Sequence, residues 1–190
     1  IAVGEWMAPT FLKNEGTKLK IVSKTKDGLE GLWQSIIPFD IDGDGDIDYV
    51  VGNWGENSKF QASAESPMKM YYSDFDNNGQ TETIVATAKD GNYYPLMGLD
   101  ALASQVVSLR KKYQSYRDFA GQNIEEILSE EQLKNSKILN VNTLKTGYLQ
   151  NNGNSFDFVP LPRDLQVAPV MAFCLFDFDG DGNDEVLAGG

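Results

Sequence analysis

Histidine is absent from the chain, and cysteine occurs once, at Cys174. The first absence excludes Ser-His-Asp and Cys-His catalysis and any histidine-ligated zinc or copper. The second excludes an internal disulfide. Cys174 lies in the apolar run Met171-Ala172-Phe173-Cys174-Leu175-Phe176 and is expected to be a small buried hydrophobe rather than a reactive thiol. No stretch approaches the ~20 apolar residues of a membrane span, and no basic segment followed by an apolar one opens the chain as a signal peptide would. The chain opens on Ile1 rather than Met and is read as a processed or excised piece, part of a longer chain. Positive charge is also scarce: the net charge is −12. With no compensating basic surface, nucleic acid is not an expected partner.

The excess acid is concentrated in three segments. They are Asp40-Ile41-Asp42-Gly43-Asp44-Gly45-Asp46-Ile47-Asp48, Asp74-Phe75-Asp76-Asn77-Asn78-Gly79-Gln80-Thr81-Glu82 and Asp177-Phe178-Asp179-Gly180-Asp181-Gly182-Asn183-Asp184-Glu185. Outside them acids and bases nearly cancel. Negative charge packed so closely repels itself unless a cation sits among it. In register, positions one, three, five and nine carry an oxygen side chain every time. Position six is always Gly, and position four is Gly43, Asn77 or Gly180; these residues tolerate the positive φ of a tight ligand loop.

That pattern is a cage for a hard cation. Calcium accepts six to eight oxygens in flexible geometry, whereas magnesium is stricter and second choice. The expected ligands are Asp40, Asp42, Asp44 and Asp48 in the first loop, Asp74, Asp76, Asn78 and Glu82 in the second, and Asp177, Asp179, Asp181 and Glu185 in the third. Asp46, Gln80 and Asn183 at position seven would add a backbone carbonyl each. The second loop carries the fewest charges and is expected to bind most weakly. An EF-hand is disfavoured: position twelve is Val51, Val85 or Ala188 instead of a bidentate Glu. The flanks, such as Ser35 to Phe39 and Tyr49 to Val51, read as strands rather than helices. Each loop should therefore close a β-hairpin.

Other segments repeat as well. Phe11-Leu12-Lys13-Asn14-Glu15-Gly16 matches Tyr148-Leu149-Gln150-Asn151-Asn152-Gly153, each a strand running into an Asn-x-Gly turn. Ile1 to Trp6 matches Val50 to Trp54 more loosely, so the chain opens on a strand of the kind that follows a cation loop and closes on the same kind, at Leu187 to Gly190. Residues 99–136 have a different period. Leu99, Leu102, Ala103, Val106, Leu109, Tyr113, Tyr116 and Ala120 fall on one helical face, with Arg110-Lys111-Lys112 on its wet side. Asn123 with Glu126 and Ser129 with Gln132 are capping-box signals for two short helices. This segment is expected to be a small helical insertion, a surface appendage within a single domain spanning 1–190. Short strands that recur with these loops and turns indicate a propeller or a similar array. The expected fold is mainly β: a partial or fragmentary β-propeller of four-stranded antiparallel blades.

The Asp-x-Asp-Gly-Asp-Gly-x-x-Asp pattern, followed by apolar residues and Gly, resembles the FG-GAP/VCBS repeat of integrin-α-like β-propellers, which carry calcium in a hairpin loop of each blade. The second loop departs from it at Asn77 and Asn78. Tyr72 to Glu82, Tyr93-Tyr94-Pro95-Leu96, the helices that follow, and Phe158-Val159-Pro160-Leu161-Pro162 up to Ala168-Pro169-Val170 are similar to bacterial (Bacteroidetes-type) VCBS-repeat proteins. Those are often joined to an ASPIC/UnbV module, which is not recognisable here. The resemblance implies an extracellular, cell-surface or periplasmic location, where millimolar calcium suits such sites, and no chemistry assignable to a residue.

Two function classes remain from the sequence. One is a non-catalytic calcium-binding module acting in binding, adhesion or as a scaffold, with a protein or glycan ligand. Trp6, Trp33 and Trp54 would then either stack on sugar rings or pack between blades. The other is the propeller portion of a secreted carbohydrate-active enzyme, a hydrolase or lyase working through carboxylates or a Tyr/Arg/Lys set without histidine.

Overall fold

The structure is a computed structural model that describes residues 1–25 and 28–190. It is mainly β with antiparallel sheets. Its strands are β1 (Glu5–Met7), β2 (Thr10–Asn14), β3 (Leu19–Lys24), β4 (Gly31–Leu32), β5 (Ser35–Phe39), β6 (Asp48–Gly52), β7 (Met68–Ser73), β8 (Glu82–Lys89), β9 (Asn92–Pro95), β10 (Lys137–Val141), β11 (Gly147–Asn151), β12 (Phe156–Pro160), β13 (Ala172–Phe176) and β14 (Glu185–Gly189). Five short helices lie between β9 and β10: α1 (Leu99–Gln105), α2 (Leu109–Lys112), α3 (Tyr116–Phe119), α4 (Ile124–Ile127) and α5 (Glu130–Asn135). Among the described residues no helix is long and apolar enough to cross a membrane.

The chain divides into two compact units, one made of 1–60 and 141–190, the other of 61–140. The sequence suggested a single domain with a helical insertion at 99–136; the compact unit that holds the helices begins at Gln61.

In the first unit a four-stranded antiparallel sheet runs β12-β11-β6-β5. Two hairpins far apart in sequence meet here: Val51 pairs with Ile36 on one side and with Gly147 on the other. Val51, Leu149 and Trp33 are fully buried, with Phe11, Tyr49, Phe156 and Phe158 packed against them. Phe11 stacks on Phe156 with ring centroids 4.1 Å apart. Trp33 meets Phe158 edge-on and donates its Nε1–H to the Leu29 carbonyl, which places this tryptophan in the core and not on a ligand face. A buried amide network ties the connecting loops to the sheet. The Asn53 side chain accepts from the Leu32 and Trp54 N–H groups and donates to the Thr143 and Lys145 carbonyls. Gln166 likewise exchanges two hydrogen bonds with the Thr146 backbone. The Asn-x-Gly hairpins form as expected: Asn14 and Asn151 each accept the N–H of the glycine two residues on. The remaining sheets of this unit, β1-β4, β2-β3 and β13-β14, have two strands each.

In the second unit the sheet order is β10-β7-β8-β9. Both capping boxes are present, at Asn123/Glu126 and Ser129/Gln132. The continuous stripe from Leu99 to Ala120 is broken into three helices, and Tyr116 and Ala120 are exposed. The β-branched pair Val106-Val107 follows the end of α1, and Ser115 restarts the chain as the cap of α3. The apolar stripe of this segment is covered by the sheet as well as by the later helices. Leu99, Leu102, Val106, Leu109, Ile124, Ile127 and Leu128 share one buried cluster with Tyr71, Phe75, Ile84 and Ala86 of the sheet and its loop. These helices are the other half of that unit's core.

Candidate metal centres

Each acidic segment closes an antiparallel hairpin whose register begins at its ninth residue: Phe39 opposite Asp48, Ser73 opposite Glu82, Phe176 opposite Glu185. Positions four and six are left-handed in all three loops, at Gly43, Gly45, Asn77, Gly79, Gly180 and Gly182. That conformation turns successive backbone N–H groups inward, where carboxylates collect them.

The hydrogen-bond scheme repeats. The first-position carboxylate accepts from the position-six glycine: Gly45 to Asp40 at 3.0 Å, Gly79 to Asp74 at 2.8 Å and Gly182 to Asp177 at 3.0 Å. Its other oxygen takes a second loop N–H from Gly43, Asn78 or Gly180. The fifth-position side chain accepts from the backbone of position seven: Asp46 N–H to Asp44, Gln80 N–H to Asn78, Asn183 N–H to Asp181. The ninth-position carboxylate reaches back to position two, accepting from Ile41, Phe75 and Phe178 at 2.7–2.9 Å.

The result is convergence. Carboxylate oxygens of Asp40, Asp42 and Asp48 lie within 4.8 Å of one another, as do those of Asp74, Asp76 and Glu82, and of Asp177, Asp179 and Glu185. Each of these clusters could hold a metal ion. Asp48 and Glu82 are buried, 1% and 5% exposed, whereas Glu185 is half-buried. Oδ1 of Asp46 and Oδ1 of Asp76 are buried without a hydrogen-bond partner among the described residues, the condition a cation ligand would relieve. Loss of hydration, and then the charges of Asp44, Asp48 and Asp42, push the Asp46 carboxyl above the ordinary Asp range.

The structure thus brings positions one, three and nine together in every loop. Asp44, Asn78 and Asp181 stand beside them with Oδ1 already occupied by a backbone N–H. Asp46, Gln80 and Asn183 occupy the turn that follows. Sequence reasoning missed the partners contributed from outside the loops. Asn151 N–H donates to the second oxygen of Asp48 at 2.7 Å, and Gln150 Nε2 donates to Asp42. Gln132 Nε2 donates to the Phe75 carbonyl. The repeated Asn-x-Gly hairpin was the signal that could have located Asn151. Cys174, expected to be buried, is exposed, because among the described residues β13 pairs only with β14 and alternate side chains face outward.

Comparison of the chain with protein-family models, with curated proteins and with solved structures returns no match.

Proposed function

We propose that this chain is a calcium-binding repeat module of the FG-GAP/VCBS β-propeller kind, exported from the cell and acting in binding or adhesion or as a scaffold, without catalysis. The observation that carries the reading is one hydrogen-bond scheme repeated in three hairpins, which in each gathers the carboxylates of positions one, three and nine around a common point. The propeller assignment is supported by the two four-stranded antiparallel sheets, each with a cation-loop hairpin as two adjacent strands.

Three carboxylates per loop, all oxygen donors, suit calcium. Asp40, Asp42 and Asp48 would hold the first ion, Asp74, Asp76 and Glu82 the second, and Asp177, Asp179 and Glu185 the third. Asp44 and Asp181 keep a second carboxylate oxygen for the ion, and position seven a carbonyl. Asn78 Oδ1 takes the Gln80 N–H and keeps its second lone pair for the ion, but it carries no charge, so the second loop is one negative charge poorer. The bound ion would supply charge neutralisation and a rigid hairpin end. The carboxylates are committed to N–H groups of their own loops, which suits a structural ion better than an activated water.

Thermal unfolding in EDTA and in millimolar calcium tests this reading. A site that binds only the folded state adds about 2.7 kcal/mol at a hundredfold excess over Kd, so the midpoint should rise by several degrees with calcium. An unchanged midpoint would refute structural metal sites.

A further inference from the structure

In the second unit a cavity of about 230 Å³ opens between β7, β9, β10 and the helices α4 and α5. Its lining includes Tyr71, Asn92, Tyr93, Asn123 and Glu125, with Ile138 among the apolar groups. The volume falls below the ~300 Å³ at which ligand pockets begin, so only a small ligand fits.

Tyr71 is 6% exposed, and its hydroxyl makes no hydrogen bond among the described residues. The ring is buried, while the hydroxyl stays accessible from the cavity that it lines. The opposing polar groups are also uncommitted there: Glu125 and Asn92 are exposed at the rim, and their side chains have no hydrogen-bond or ion-pair partner among the described residues. The Asn123 carbonyl oxygen is spent on capping α4, which leaves its amide N–H₂ free. Burial, followed by the neighbouring Tyr93 and Glu125, raises the Tyr71 pKa to about 12, so the hydroxyl stays a donor at any physiological pH.

The charges around the cavity narrow the ligand class. Glu125 disfavours an anion. A cation would seek the Tyr93 ring, yet Lys69 Nζ already stands 3.8 Å from its centroid. A neutral ligand with several hydroxyls meets every group present: it accepts from Tyr71 and the amides, donates to Glu125, and lays its C–H face on Ile138 and Leu133. We infer that this cavity binds a single neutral sugar residue, free or as the end of a glycan, with Tyr71 at its floor and Glu125 at its rim. The inference deepens the binding-module reading and rests on it; a calcium titration without sugar tests that reading separately.

The experiment is an NMR titration of the calcium-loaded chain with methyl glycosides of glucose, galactose, mannose and N-acetylglucosamine. Oligosaccharides ending in the best of these form a second arm, and tetramethylammonium and acetate are the controls. Saturable shifts at the amides of Asn92, Tyr93 and Glu125 with at least one glycoside, and not with either control, are expected. Tighter binding of the oligosaccharide would identify a glycan terminus as the source, and equal binding a free sugar. Tyr71→Phe should weaken binding about tenfold, the worth of one buried hydrogen bond, and Glu125→Gln should weaken it too, while Tyr116→Phe leaves it unchanged. Should Tyr71→Phe fail to fold, Glu125→Gln on the exposed side of α4 carries the test. Absence of saturable shifts with every glycoside, insensitivity to the variants, or equal binding of tetramethylammonium would overturn the inference.

Discussion

The hairpins β5–β6 and β13–β14 carry the same loop in different surroundings. Both loops share the four hydrogen bonds of the common scheme, the same left-handed glycines and the same register against the ninth residue. Yet Val50 and Val51 of β6 are buried, while their counterparts Leu187 and Ala188 of β14 are exposed. The ninth carboxylate differs likewise: Asp48 accepts two backbone N–H groups, from Ile41 and Asn151, and Glu185 accepts one, from Phe178. The cation loop is therefore a local structure, written in nine residues. Its burial is supplied by the neighbouring strand, β11 for β6, whereas β14 has no such neighbour among the described residues.

The sharpest way to expose that difference is at the glycines that end the two hairpins. A Cβ on Gly52 would lie 2.3 Å from both Ser35 Oγ and the Val170 carbonyl, whereas one on Gly189 meets nothing within 4 Å. Gly52→Ala should cost ~2–4 kcal/mol of unfolding free energy and Gly189→Ala within ~0.5, read by denaturant titration. Equal costs would erase the contrast. Next comes the ninth carboxylate. In EDTA, so that no ion contributes, Asp48→Ala should destabilise by ~1–3 kcal/mol, because it strands two part-buried N–H groups. Glu185→Ala should cost less than about 1 kcal/mol at its more exposed site. The reverse order would show that the loops, not their neighbours, set the difference.

The second loop extends the comparison. With Asn78 where the others have Asp, it should fill last as calcium is added, and Asn78→Asp should bring its affinity toward that of the first loop. Occupancy of all three at the same calcium concentration would remove the argument. The smallest effect concerns pH. Asp46 has its pKa raised in the folded chain, so the folded state holds its proton more tightly than the unfolded state does. Without calcium, its contribution to stability is fully present below the unfolded Asp value and is lost as pH rises through the raised folded one. Calcium should lower that value. Carboxyl-carbon NMR of Asp46 with and without calcium reads the shift, and an unchanged titration would contradict it.

The loops, their hairpins, the left-handed positions and both capping boxes were legible in the sequence because each is decided within a few residues. Pairing of β6 with β11 was not, since Val51 and Gly147 are separated by the whole second unit and nothing local to Val51 names its partner. The helical stripe was legible only in part, for a related reason. Leu99 to Tyr113 does face inward, but the amphipathic pattern does not say what it faces, and the sheet carrying Tyr71 and Ile84 is what completes that core. Cys174 misled because an apolar run implies burial only where something covers it. The amide network of Asn53, Thr146 and Gln166 left no pattern at all, as single polar residues at core positions read like loop residues until their partners are in place.

Calcium binding itself is tested most directly by calorimetric titration of the chelated chain. Up to three sites are expected, with Asp40→Asn and Asp177→Asn each removing one and leaving the others. No saturable binding at millimolar calcium, or a stoichiometry unmoved by these substitutions, would contradict it.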